Sequence, residues 1–133
     1  MVFFLVFVGT TTLAPVRAGQ MDEPTVQKKP LGASVNALIA SRARDYDLDV
    51  PRTTRVAICE SGASQYDKDG RLLRGRVNPS DVGIFQINEK YHLAMSKKLG
   101  FDIHTTEGNI EYALWLMKNE GIQHWNASRS CWS

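Results

Sequence analysis

Two cysteines, Cys59 and Cys131, constrain this chain more than any other feature. Cys59 ends an apolar run, Val56-Ala57-Ile58-Cys59, and Glu60-Ser61-Gly62 follows it directly. Cys131 sits in the C-terminal tail between Ser130 and Trp132. An isolated pair of cysteines in an exported chain reads as a disulfide. Joined, the two bring the tail back onto the segment that carries Glu60. The loop so closed spans about 70 residues, worth roughly 4 kcal/mol in the chain-entropy model. The other reading is two buried free thiols. Two distant cysteines and 3 scattered histidines do not make a metal donor set, so neither a metal nor a cofactor is expected.

Export is read from the start of the sequence. Residues 2–8 are VFFLVFV, an apolar stretch too short to span a bilayer comfortably. GTTTLAPVRA follows, with small residues Val16 and Ala18 placed for a cut after Ala18. That is the pattern of a secretory signal peptide. No Lys or Arg precedes the apolar run, so residues 1–18 read as a signal peptide or as an N-terminal membrane anchor. Either implies a periplasmic, cell-wall-associated or extracellular protein. Residues 19–30, polar with two prolines, read as a linker, and 31–133 as one domain. A net charge of +2 lacks the basic stripe of a nucleic-acid binder. A monomer is expected.

The pattern is mainly helical. Val35, Leu38, Ile39 and Arg42 recur at helical spacing, predicting a helix from about Gly32 or Ser34 to Tyr46, with Ser34 as a plausible cap. Pro51 opens a second helix that runs to Glu60 and stops at Gly62. A third is expected over Glu89–Leu99, with Leu93, Met95 and Leu99 as its apolar side. The fourth is expected over Thr106–Asn119, capped by Thr105 or Thr106. Between the second and third lies a small β insertion. Asp69-Gly70 predicts a hairpin tip, with Leu72, Leu73 and Val77 on short strands. Trp125 and Trp132 are expected to dock the tail onto the domain.

Glu60 is the candidate catalytic residue. A carboxyl at the edge of an apolar wall is partly desolvated, which raises its pKa and keeps it protonated near neutral pH. A protonated glutamic acid can donate to a leaving group. Taken alone, Glu60 reads more readily as a solvated helix-end residue than as an acid, since glutamate is seldom buried unless paired.

Three stretches in this order and spacing change that. Cys59-Glu60-Ser61 is followed by Val82-Gly83-Ile84-Phe85-Gln86-Ile87-Asn88, then by Gly108-Asn109-Ile110 leading a helix with Tyr112 and Ala113. The set resembles the lytic transglycosylases of the soluble, goose-lysozyme-like type, over about residues 34–125. The middle stretch also resembles that of animal lysozymes. The resemblance implies an α+β lysozyme-like fold, a helical domain with a small β-hairpin insertion flanking the cleft. It implies cleavage of the β-1,4 bond between N-acetylmuramic acid and N-acetylglucosamine in peptidoglycan glycan strands. Glu60 would be general acid and then base, drawing a proton from the sugar's own 6-hydroxyl to close a 1,6-anhydro ring. Ser61, Gln86 and Asn109 would contact the saccharide or position the acid.

Asp81 stands where animal lysozymes carry a second carboxylate. It reads as a catalytic partner in a hydrolytic muramidase, as a substrate-binding group, or as an acceptor in the turn after Pro79. The family continues past the Asn helix to an Ala-Tyr-Asn segment whose tyrosine points at the acid, and residues 120–133 contain none. The job of that tyrosine is left unassigned: Tyr112 is a candidate substitute, with Trp125 a weaker one, and both read more readily as core residues. Tyr66, Phe85, Tyr91 and Trp125 are candidates for stacking on sugar faces; His92 and His104 are candidates for the cleft edge or the surface. A non-catalytic peptidoglycan-binding module is the remaining alternative.

Overall fold

The computed structural model describes residues 31–133, with side chains from residue 35 on. The expected signal peptide or anchor and the linker lie outside the described residues. The fold is mainly helical with one small two-stranded hairpin. Helix α1 spans Leu31–Asp45, α2 Val50–Ser61, α3 Glu89–Lys98 and α4 Thr106–Asn119. A 3-10 segment, Ile122–Ser128, kinks at Trp125 and leads into a last turn, α5, Arg129–Trp132. Among the described residues no helix is long and apolar enough to cross a membrane.

The helix ends follow local chemistry. Asp49 caps α2, its carboxylate accepting the Arg52 N–H at 2.8 Å, and Pro51 occupies the first turn where a missing N–H is harmless. At the other end the N–H of Gly62 reaches the Ile58 carbonyl at 2.8 Å and that of Ala63 reaches Ala57 at 3.1 Å. Asn88 caps α3 and Thr105 caps α4 in the same manner. Helix α1 is already under way at Ser34, so it starts a turn earlier than a cap there allows.

The core gathers Ile39 and Ala43 of α1, Val56 and Ala57 of α2, and most of α4 from Ile110 to Met117. Helix α1 packs on both α2 and α4, and α5 packs on α2. Ile58 departs from expectation: it is 49 % exposed, because the turn of α2 that buries Val56 and Ala57 carries it to the outer face. On the α3 side Leu93 and Leu99 pack against the core as expected and Ser96 is fully buried, while Met95 remains exposed.

The hairpin is not where the Asp69-Gly70 turn predicts it. That loop holds a single bridge, Tyr66 to Leu72, and Val77 is fully exposed. The two strands are β1, Asp81–Val82, and β2, Ile87–Asn88, antiparallel with Asp81 opposite Asn88. They flank Gly83–Gln86, so the glutamine sits at the end of the hairpin loop.

The loop lies largely buried; backbone bonds satisfy the Gly83 N–H, to the Leu73 carbonyl at 2.9 Å, and the Gln86 N–H, to the Gly83 carbonyl at 3.2 Å, while side chains from elsewhere satisfy Ile84 and Phe85. The Val82 carbonyl accepts from Asn109 Nδ2 at 3.0 Å, and the Phe85 N–H donates to Asn109 Oδ1 at 2.9 Å. The Ile84 N–H donates to Gln65 Oε1 at 3.1 Å, and the Ile84 carbonyl accepts from Ser61 Oγ at 2.7 Å. The Phe85 carbonyl accepts the indole N–H of Trp125 at 2.9 Å. A buried backbone polar group left without a partner costs about 1–3 kcal/mol, so these bonds hold the loop in one conformation.

The two cysteines form the expected disulfide, with Cα atoms 6.0 Å apart. It joins the last turn of α2 to α5, and Trp125 and Trp132 are both 4 % exposed.

Candidate active site

Glu60 sits in the last turn of α2, one residue beyond the disulfide. Its side chain is half-buried at the junction of two open clefts of about 350 and 450 Å³. Glu60, Gly75, Arg76 and Gln86 line both, so they form one groove passing over the carboxyl. One arm is walled by Asp81, Asn88, His92, His124 and Trp125. The other is walled by Ser61, Gly62, Leu73 and Arg74.

Burial raises the Glu60 pKa above the ordinary carboxylate value, opposed by a hydrogen bond from the Ser128 hydroxyl, with the charge of Asp81 adding to the rise. An acid at such a position holds its proton to higher pH than an exposed glutamate. Gln86 lines both clefts from the hairpin loop with a left-handed backbone, φ 49°, uncommon for a residue with a Cβ. Its amide nitrogen donates to the Gly83 carbonyl at 2.9 Å, which holds the turn.

Asp81 borders the same groove. Its Oδ1 accepts from Asn88 Nδ2 at 2.7 Å and from Asn78 Nδ2 at 3.3 Å. It is therefore oriented by two amides and still presents a carboxylate to the cleft. Trp125 is the one stacking candidate whose ring lies on this wall. Phe85 is fully buried, meeting Trp125 edge-on at 6.1 Å, and Tyr66 and Tyr91 are exposed away from the groove.

Two expected contact residues are placed elsewhere. Asn109 has no exposed surface, and its three bonds go to Val82, Phe85 and Ile103, so it holds the loop rather than a ligand. Tyr112 is 1 % exposed, and its hydroxyl pairs with His92 Nδ1 at 2.9 Å. It supports the wall histidine instead of facing Glu60. Ser61 borders one arm, but its hydroxyl is committed to the Ile84 carbonyl and accepts the Ser64 N–H at 3.0 Å. Burial and the neighbouring His124 push the His92 pKa down against the pull of Glu120, and the net shift favours the neutral ring. His104 is held away from the groove by Glu89, at 2.6 Å.

The tail supplies a group the residue pattern did not single out. Ser128 places its hydroxyl against Glu60 Oε1. The signal was present: Ser128 precedes Cys131 by one helical turn, and Cys131 is bonded to the neighbour of Glu60. Among the described residues no cluster of side chains suits a metal ion. Compared with protein-family models, with curated proteins and with solved structures, the chain matches none of them.

Proposed function

We propose that this protein is an exported lytic transglycosylase of lysozyme-like fold, cutting the β-1,4 bond between N-acetylmuramic acid and N-acetylglucosamine in peptidoglycan. The single observation that carries it is the placement of Glu60: a half-buried carboxyl, biased toward its protonated form, where two open clefts meet, with Gln86 lining both. Open clefts to either side of the acid suit a polymer that is cut within its length. Glu60 delivers its proton to the glycosidic oxygen as the bond breaks. The carboxylate left behind then takes the proton of the sugar's 6-hydroxyl, whose oxygen closes on C1 as a 1,6-anhydro ring. Glu60 is thereby returned to its starting form without water.

Asp81 favours a second reading. A carboxylate on the same groove, oriented by Asn78 and Asn88, is placed to assist a hydrolytic muramidase. Mass spectrometry of digested wall material separates the two: 1,6-anhydromuramic ends support the transglycosylase and reducing ends the hydrolase. Glu60→Gln is expected to abolish cleavage while retaining binding to the wall. If the wild-type protein binds peptidoglycan and never cuts it, a binding module is the correct description.

A further inference from the structure

Ser128 is engaged on three sides. Its Oγ contacts Glu60 Oε1, lies 3.1 Å from the Trp125 carbonyl, and accepts from Trp132 Nε1 at 3.1 Å. The same indole N–H is 3.0 Å from the Trp125 carbonyl. A hydroxyl has one proton to donate, and a carbonyl has none. Both acceptors, the Trp125 carbonyl and an ionised Glu60, therefore compete for the Ser128 proton. A protonated Glu60 ends the competition, because it can itself donate to Ser128 Oγ and free that hydroxyl for Trp125.

We propose that Ser128 is the positioning residue of Glu60 and that its hydroxyl turns between two states set by the acid's proton. With Glu60 protonated, the acid donates to Ser128 and Ser128 donates to the Trp125 carbonyl. Once the acid has given up its proton, Ser128 rotates and donates to the carboxylate. The Trp125 carbonyl then keeps the Trp132 indole N–H alone. No covalent bond changes at Ser128. The hydroxyl holds the carboxyl on the groove side in both states and carries its protonation to the tail. The disulfide one turn further on fixes the distance over which this works.

Other titratable and charged groups face the site. Asp81 of β1, Arg76 of the preceding loop, His92 of α3 and His124 of the tail line the groove, and Arg55 of α2 donates to the Trp132 carbonyl at 3.1 Å. The test must separate Glu60 from all of them. It follows the Glu60 carboxyl carbon and the Trp132 indole proton by NMR across pH in wild type, Ser128→Ala, Ser128→Thr and Glu60→Gln.

In wild type, the two signals are expected to titrate with one midpoint. Ser128→Ala should raise the Glu60 midpoint, since the donor that favours the carboxylate is gone. It should also flatten the Trp132 response. Ser128→Thr keeps the hydroxyl and should restore both, and it serves as the folded control if the alanine variant unfolds. Glu60→Gln should abolish the Trp132 titration. An indole response that survives Glu60→Gln belongs to a histidine or to Asp81 and overturns the proposal, as does a Glu60 midpoint unmoved in folded Ser128→Ala. The measurement needs no substrate, so it stands or falls separately from the glycosidase assignment.

Discussion

Asn109 on α4 holds Phe85 in the hairpin loop: its side-chain oxygen accepts the Phe85 N–H at 2.9 Å, in a site with no access to solvent. Its amide nitrogen bonds the Val82 and Ile103 carbonyls at 3.0 Å each. One side chain thus satisfies one donor and two acceptors of buried backbone. Asn109→Ala strips this partner from the Phe85 N–H and the Val82 carbonyl, while the Ile103 carbonyl keeps Gln65 Nε2 at 3.1 Å, and is expected to destabilise the fold by about 2 kcal/mol or more. Asn109→Asp retains only the acceptor and should be nearly as harmful. Urea denaturation measures both. A loss well under about 1 kcal/mol would show that water enters and takes over these bonds.

Gly83 and Gly70 give a matched pair. Their φ angles are +71° and +77°, so both resist a Cβ on conformational grounds alone. At Gly70 the added atom meets nothing within 4 Å. At Gly83 it would lie 2.2 Å from Gln65 Oε1 and 2.6 Å from Asn109 Nδ2, the two amides that pin the loop. Gly70→Ala should cost about 1 kcal/mol, and Gly83→Ala several times that. Equal melting temperatures for the two variants would contradict this packing.

The raised pKa of Glu60 has a consequence for stability. A carboxyl whose folded pKa lies above its unfolded value contributes fully below the unfolded value, and that contribution is lost as pH rises through the folded one. Glu60→Gln cannot ionise and keeps an acceptor for Ser128. Relative to wild type, its stability should therefore improve as pH rises from acid through the Glu60 titration range. Denaturation curves of both proteins at a series of pH values test this. A difference that does not change with pH would mean that burial leaves Glu60 unperturbed.

Reduction of the Cys59–Cys131 bond frees a loop with a sequence separation of 72 and loosens the tail that presents Ser128 and Trp125. A loss of roughly 2–4 kcal/mol is expected, with Cys131→Ser behaving like the reduced wild type. Identical melting curves with and without reductant would rule out a stabilising role.

Helices α2, α3 and α4 were legible because their signals act over a few residues. Pro51, Gly62 and Thr105 each mark an end through effects confined to one turn, and the Asp49 cap, in a stretch that reads as a turn from sequence, works over the same range. The cysteine pair and the apolar run before Glu60 likewise marked the disulfide and the candidate acid without any knowledge of packing. The strands were misplaced because Asp69-Gly70 is a sound local turn, whereas the short loop that pairs Asp81–Val82 with Ile87–Asn88 is held by Ser61, Gln65, Asn109 and Trp125 from elsewhere in the chain.

The same distinction governs the site. That Ser61, Gln86 and Asn109 belong together could be read from their order, but residue type does not say which way each amide or hydroxyl is used. Tertiary structure decided that Ser61 and Asn109 bond the loop, that Gln86 reaches the groove, and that Ser128 meets Glu60. Buried backbone must find hydrogen-bond partners wherever the fold brings them. That requirement is non-local, so the sequence names the donors and acceptors while only the folded chain pairs them.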